Sequence, residues 1–278
     1  MAERLVGKCA VVTGAASGMG KAIAIAFLKE GAKIVAADVN TQALTELEAE
    51  VAELGAADSF KWIKCNVTDD DDCAAAVKLC ADTFGTCNVL SHNAGIVDNF
   101  SMVDSISNEL WDRTIAVNLT GSMKIARASL RYFLANDVSA SMVMITSNAA
   151  FESATGGPSY SASKAGANAL MKSIAFEYGR KGIRCNSICP GPVLTNIHTS
   201  MGVQHEEGAA IHTASGYNAH CKEWIVKSAA LALGTDPALP AIGFPHEIAP
   251  LAVYLASDES TFVNAASIVI DGGVCLSR

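Results

Sequence analysis

Charged residues are scarce in this chain: Lys, Arg, Asp and Glu make up 17% of 278 residues, against 50% hydrophobic ones, and the mean hydropathy is +0.28. Such a composition is not that of a disordered protein and supplies ample material for a core. Basic residues are the scarcer sign, 20 against 28 acidic ones for a net charge of -8, and no Lys/Arg cluster occurs. The footprint of a phosphate-backbone binder is missing, so no nucleic-acid partner is expected. Long apolar runs are missing as well; all fall far below the ~20 residues a spanning helix needs, which predicts no membrane partner. The opening MAERLVGK passes straight into an apolar strand pattern without a signal-peptide cleavage region, and a cytoplasmic protein is expected. No C-x-x-C pair occurs among the nine scattered cysteines, which argues against a disulfide framework and for a reducing compartment. Cys73, Cys80 and Cys87 recur every seven residues, the first two on one helix face, and read as small buried apolar residues rather than metal ligands.

What the chain does contain is an alternation of short apolar runs with longer helical patterns, and no internal repeat or low-complexity linker. Its 278 residues fit one domain, 1–278. Candidate strands are Ala10–Val12, Lys33–Ala37, Phe60–Cys65, Val89–His92, Ser141–Thr146, Arg184–Cys189 and Ser267–Ile270. Mostly continuous apolar runs of this kind suit strands covered on both faces. Candidate helices are Lys21–Glu30, Thr41–Leu54, Asp70–Phe84, Glu109–Ala135, Ser159–Lys181 and His246–Ala256, with Gly31, Gly85 and Gly182 placed to stop three of them in a left-handed conformation. The pattern predicts an α/β fold, doubly wound, with a mostly parallel seven-stranded sheet and helices on both faces. From about residue 195 to 244 no strand pattern appears, and this segment reads as an inserted lid over a substrate.

Directly after the first strand comes Thr13-Gly14-Ala15-Ala16-Ser17-Gly18-Met19-Gly20, then the helix-forming Lys21-Ala22-Ile23-Ala24. A glycine-rich turn there lets the backbone approach a pyrophosphate and aims helix N-terminal amides at it, as in a Rossmann-type dinucleotide fold. The second strand ends at Asp38, 24 residues beyond Gly14, near the spacing at which a carboxylate meets the adenosine ribose. A carboxylate there accepts from the ribose hydroxyls and repels a 2'-phosphate. Since neither Ser17 nor Val39 brings a positive charge, NAD rather than NADP is the predicted cofactor.

Further along stand Asn93-Ala94-Gly95 after the fourth strand, Asn118 within Ala116-Val117-Asn118-Leu119, Ser147 ending the fifth strand, and Tyr160-Ser161-Ala162-Ser163-Lys164 opening the next helix. With Pro190-Gly191-Pro192-Val193-Leu194-Thr195 and the closing Asp271-Gly272-Gly273, the chain resembles the short-chain dehydrogenase/reductase family over nearly its whole length. Ser147, thirteen residues before Tyr160, is a specific part of that likeness. Tyr160 and Lys164 are four apart and share a helix face. A free phenol near pKa ~10 is a poor base, and an adjacent ammonium with an oxidised nicotinamide would favour its phenolate. Tyr160 would then take the alcohol proton as hydride leaves the same carbon, and return it to a ketone in the reverse direction.

The resemblance implies that Ser147 holds the substrate oxygen, that Lys164 also grips the nicotinamide ribose, and that Asn118 positions a water relaying protons towards Lys164. It further implies cofactor contacts at Gly14, Ser17, Gly18, Met19, Gly20, Asp38, Val39, Asn66, Val67, Asn93, Ala94, Gly95, Tyr160, Lys164, Pro190, Gly191, Val193 and Thr195, with Val39 beside the adenine and Thr195 on the carboxamide. Two positions depart from the family pattern: Asn66 stands where Asp is usual before Val67, a change that weakens the contact with the adenine amino group although an amide oxygen can still accept, and His92 where Asn is common.

His198, His205, His212 and His220 lack the three- or four-residue spacing and the carboxylate or Cys partner of a metal site, so no metal is expected and they read as lid side chains. The expected reaction interconverts a secondary alcohol and its ketone. Ile197, Met201, Val203, Ile211, Trp224, Ile225 and Leu231 of the insertion, with Phe100 and Phe151, suit a hydroxysteroid or bile acid, and also a smaller cyclic alcohol, a terpenoid or subunit packing. A non-catalytic NAD-binding regulator on the same fold is the competing reading. A homo-oligomer is expected, a tetramer first and a dimer second, paired through Glu109–Ala135 and Ser159–Lys181, where Ala165, Gly166, Ala167, Ala169 and Ala175 allow close approach.

Overall fold

Strand and helix alternate along the chain because apolar runs of four to eight residues are each followed by an amphipathic stretch. The computed structural model describes residues 3–152, 156–195 and 242–273. In it the strands β1 (Cys9–Thr13), β2 (Lys33–Asp38), β3 (Phe60–Lys64), β4 (Val89–His92), β5 (Ala140–Ile145), β6 (Ile183–Pro190) and β7 (Ser267–Ile270) form one sheet in the order β3-β2-β1-β4-β5-β6-β7. All six pairings are parallel. The expected strands and sheet are thereby found, with no strand end moved by more than one residue.

Successive side chains of a strand point to opposite faces, so β1 feeds two cores. Ala10 and Val12 join Ile23 and Phe27 of α1 (Gly18–Lys29), Leu44 and Leu47 of α2 (Thr41–Glu53), and Ile248 and Val253 of α7 (Pro245–Ala256). Cys9 and Val11 join Cys73 and Val77 of α3 (Asp70–Phe84), Ile125 and Phe133 of α5 (Gly121–Ala135), and Met171 of α6 (Pro158–Tyr178). Phe27 and Phe133 are fully buried, and each such side chain contributes about 1.5–3 kcal/mol relative to exposure. Cys73, Cys80 and Cys87 are buried thiols, as their spacing predicts, and all seven described cysteines are free. Gly31, Gly85 and Gly182 have φ of +87, +86 and +76°, the left-handed stops predicted for them.

One helix is not as expected. Glu109–Ala135 divides into α4 (Asn108–Ile115), a π-helical turn at Ala116–Thr120, and α5. Asn118 causes the break by bonding out of the helix: its Oδ1 accepts from Ile96 N at 2.8 Å and its Nδ2 donates to Ile96 O at 2.9 Å. Gly121 follows because a Cβ there would stand 2.8 Å from Val67. Single π turns inside helices are frequently found at functional sites. The sheet order reverses between β1 and β4, and in open α/β sheets the crevice at that reversal, outside the strand C-termini, is where ligands bind.

Candidate active site

The crevice is built from loops leaving β1, β2, β3 and β4. Gly14, at φ +64°, packs so closely that a Cβ would lie 2.8 Å from Ala94 N, and a Cβ on Gly20 would lie 2.1 Å from Gly14 O. Only glycine permits this contact, which draws the start of α1 against the loop after β4 and leaves bare backbone at the helix N-terminus. Asp38, ending β2, accepts from Ala16 N at 3.1 Å and Asn40 N at 3.0 Å through different carboxylate oxygens, which pins its orientation. Val39 beside it is exposed.

Gly14, Ser17, Gly18, Met19, Gly20, Asp38, Val39, Asn66, Val67, Asn93, Ala94, Gly95 and Thr195 all line one cleft of about 400 Å³. Cys65, Ile96, Arg113 and Val117 line it as well and were not expected; Arg113 and Val117 are four apart, a helix-face signal that spacing alone carries. Tyr160, Lys164, Pro190, Gly191 and Val193 are not among the lining residues. Gly191 N donates to Ile270 O at 3.0 Å, and Val193 bridges to Gly243, so this strip ties β6 to β7 and α7 before Thr195. The cradle of close backbone, a fixed carboxylate and the buried, unpartnered Oδ1 of Asn93 together fit a nicotinamide dinucleotide.

Asn66 corrects an expectation. Its Oδ1 accepts from Thr68 N at 3.1 Å and Thr68 Oγ1 at 2.9 Å, so both lone pairs are engaged. A backbone N–H only donates, which fixes the amide with its oxygen towards Thr68 and its NH₂ on the other side. Asn66 therefore offers a donor where an acceptor for the adenine amino group was expected.

Two of the four residues expected to carry the chemistry, Asn118 and Lys164, meet at Gly95. A Cβ there would lie 3.2 Å from Asn118 Oδ1 and 3.3 Å from Lys164 Nζ. Lys164 is buried, donates to Ile145 O at 3.2 Å, and holds its Nζ 5.6 Å from the centre of the Tyr160 ring. Ser147 Oγ accepts from Ala149 N at 3.1 Å and donates to Asn148 Oδ1 at 3.4 Å, and it faces the Tyr160 phenol closely enough to favour its ionisation. Asn118 Nδ2 also donates to Ser163 Oγ at 3.0 Å, which donates to Tyr160 O at 2.7 Å, so the π turn is bonded to the helix that carries Tyr160 and Lys164.

Burial governs the electrostatics of the Tyr160–Lys164 pair. Burial raises the Tyr160 phenol above its ordinary value, the Ser147 hydroxyl opposes this, and the Asp98 carboxylate adds to the rise. Burial also lowers Lys164 to about 8. Desolvation, rather than a neighbouring ammonium, dominates Tyr160, so the resting group is a phenol.

His92 has a role that its departure from the family pattern only hinted at. Thr13 Oγ1 accepts from Asn93 N at 3.1 Å and Ala94 N at 3.3 Å, so its one hydrogen goes to His92 Nδ1, 2.7 Å away. The imidazole proton then sits on Nε2 and is donated to Ser122 Oγ at 2.9 Å, which donates to Asn118 O. His92 is neutral, pushed down to about 3 by burial and then by the Lys164 charge. Among the described residues no group of three or more His, Cys, Asp or Glu is placed to hold a metal. His198, His205, His212 and His220 lie outside the described residues, as does the 196–241 part of the segment at about 195–244 expected to form a lid.

A seven-stranded parallel sheet, a glycine-built nucleotide crevice at its reversal, and a buried Ser-Tyr-Lys-Asn cluster define an α/β oxidoreductase that uses a nicotinamide cofactor. The family model of the short chain dehydrogenases matches residues 8–206, and the chain belongs to that family. It is 37% identical over 269 residues to 3beta-hydroxysteroid dehydrogenase 2 of Eggerthella lenta, covering 97% of this chain and 95% of that protein. It is 33% identical over 271 residues to D-threitol dehydrogenase of Mycolicibacterium smegmatis, covering 97% and 94%. Among solved structures, a short-chain type dehydrogenase/reductase from Mycobacterium ulcerans superposes with a TM-score of 0.82 at 26% identity, covering 99% of this chain and 92% of that one. A single-residue variant of actinorhodin polyketide ketoreductase with NADPH does so with 0.81 at 26%, covering 96% and 97%.

Proposed function

We propose that the protein is an NAD(H)-dependent oxidoreductase that interconverts a secondary hydroxyl and a ketone on a hydroxysteroid or bile acid. The observation that carries this reading is the Tyr160 phenol between the Ser147 hydroxyl and buried Lys164, whose Nζ stands behind Gly95 of a cleft lined by Asp38. Asp38 supports NAD over NADP, since its carboxylate repels a 2'-phosphate. The cation lining the cleft among the described residues is Arg113 on α4, away from the end of β2.

In this reading the cleft residues hold the dinucleotide, and bound nicotinamide supplies the hydride acceptor for an alcohol or the hydride donor for a ketone. Ser147 Oγ donates to the substrate oxygen and orients it towards Tyr160. Tyr160 Oη removes the hydroxyl proton in oxidation and returns it in reduction. Lys164 Nζ binds the nicotinamide ribose and stabilises the phenolate as it forms, while Asn118, through the π turn, positions the water that relays protons towards Lys164.

For the substrate, Met102 and Val103 after β4, Phe151 after β5 and Leu194 after β6 are exposed apolar side chains, all on the C-terminal edge of the sheet where the cleft opens. They favour a bulky apolar ligand, as does the likeness to a 3beta-hydroxysteroid dehydrogenase. We read residues 1–278 as one domain with a lid at about 195–244, and the compartment as the reducing cytoplasm, in keeping with the free cysteines. A homotetramer or dimer is supported by Ala165, Ala169 and Phe176, exposed along α6, whereas Ala167 and Ala175 are spent inside the subunit. Light scattering tests this, and a single species at 28.8 kDa refutes it. The function is tested by following NADH at 340 nm with 3β-hydroxysteroids, bile acids, cyclohexanol and threitol. Turnover of the small alcohols alone overturns the steroid assignment, and NAD binding without any turnover favours the regulatory reading.

A further inference from the structure

Helix α6 carries Tyr160 in its first turn, yet its N-cap residue, Gly157, has no side chain to satisfy the free amides there. That task falls to Asp98, about sixty residues earlier in the loop after β4. Its Oδ1 accepts from Gly157 N at 3.0 Å, and its Oδ2 accepts from Ser159 Oγ and from Tyr160 N, both at 2.9 Å. The carboxylate is 1% exposed, and a Cβ on Gly157 would stand 2.5 Å from both of its oxygens, so the glycine leaves the room the carboxylate occupies. The loop is held hard around it. Asn99 and Phe100, the next two residues, sit in the left-handed region at φ +57 and +53°, and Ser101 returns two hydrogen bonds to Asp98 O. Side chains persist in that conformation only where their surroundings over-determine it.

We propose that Asp98 is a positioning residue for the reaction: by clasping the first turn of α6 it sets where the Tyr160 hydroxyl stands and the charge that hydroxyl faces. The proposal rests on Tyr160 as the proton-transfer group. The groups around the phenol are the Ser147 hydroxyl from the end of β5, Lys164 from α6 itself, and Asp98 from the loop after β4; Lys164 in turn faces Cys189 of β6 and His92 of β4. Asp98 is thus the anion of the set. It offsets the positive end of the α6 dipole and adds to the burial that keeps Tyr160 a phenol at rest, ready to donate to a ketone oxygen.

The test reads Tyr160 without a substrate. Absorbance at 295 nm, taken as the difference between a protein and the same protein with Tyr160→Phe, follows the ionisation of this one phenol. In Asp98→Asn the midpoint moves to lower pH by about one unit, because the anion is gone. Gly157→Ala keeps every titratable group but pushes the carboxylate away, and moves the midpoint the same way by less. Ser159→Ala removes one hydrogen bond and no charge, and leaves it in place. Turnover in Asp98→Asn and Gly157→Ala falls roughly tenfold or more while NADH affinity, read by fluorescence, stays within about twofold. An unmoved midpoint in both variants overturns the proposal, as does a loss of turnover matched by an equal loss of NADH affinity. Should Asp98→Asn not fold, Gly157→Ala decides alone. Full turnover in Tyr160→Phe would refute the proposed function, a different outcome from any of these.

Discussion

Replacing His92 by Gln tests the buried chain that joins the glycine turn to the π turn. Gln can present an acceptor to Thr13 and a donor to Ser122, so the hydrogen bonds of the neutral imidazole are imitated while its titration is removed. The magnitude follows from the difference between an ordinary histidine near 6.5 and this one near 3. The folded protein keeps His92 neutral and the unfolded chain protonates it, so its contribution is present in full above the unfolded value and is lost as pH falls. At pH 5 the loss amounts to about 2 kcal/mol, and by pH 3 to between about 4 and 5 kcal/mol. That is a substantial part of the roughly 5–15 kcal/mol by which domains are stable. Urea unfolding at pH 7, 6 and 5 measures it. The stabilities of the two proteins should converge by about 2 kcal/mol, or cross, between pH 7 and pH 5, since other acid-labile groups are common to both. Parallel pH dependences would show that His92 is not held neutral, and the deduced tautomer and the chain through Ser122 would fall with it.

Other outcomes follow from the same site. Tyr160→Phe should keep the fold and NADH binding but lower turnover by about 10²–10⁴-fold, as steady-state rates beside a binding titration will show. Asp38→Ala should narrow the preference for NAD over NADP, and adding Val39→Arg should push it further; kcat/KM for both cofactors measures this, and a wild type that already prefers NADP refutes it. Asn66→Asp supplies a second oxygen while the first stays on Thr68, and should tighten NADH binding several-fold, about 1 kcal/mol, by calorimetry.

Much of the architecture is legible because it rests on local chemistry. Val89–His92 and Ser267–Ile270 are apolar runs of strand length, Asp70–Phe84 opens with acidic residues and stops at a glycine, and the structure returns those elements with the same bounds. Most of the cofactor cleft is legible for the same reason: the glycine turn and the strand-ending Asp38 need only their own neighbours to be recognised. Asn66 was open to a closer reading, since a Thr two residues after an Asn is the pattern of a side-chain turn that occupies the amide oxygen.

What lay beyond the sequence are contacts whose partners are far apart along the chain. The helical period over Glu109–Ala135 runs through Asn118 without a mark, because the cause of the π turn is the backbone of Ile96, twenty-two residues earlier. Nothing in the neighbourhood of Asp98 tells that its carboxylate caps a helix sixty residues on, nor does the composition around Tyr160 tell that burial outweighs the Ser147 hydroxyl it faces. Periodicity, turn residues and short motifs are properties of adjacent residues, so the order of elements, the glycine turn and the candidate acid, base and anchor were determined by the sequence itself. Which amide bonds out of its helix, which tautomer a histidine adopts and whether a phenol is ionised depend on the dielectric and on the donors that other strands bring within about 3 Å, and only the assembled sheet sets those.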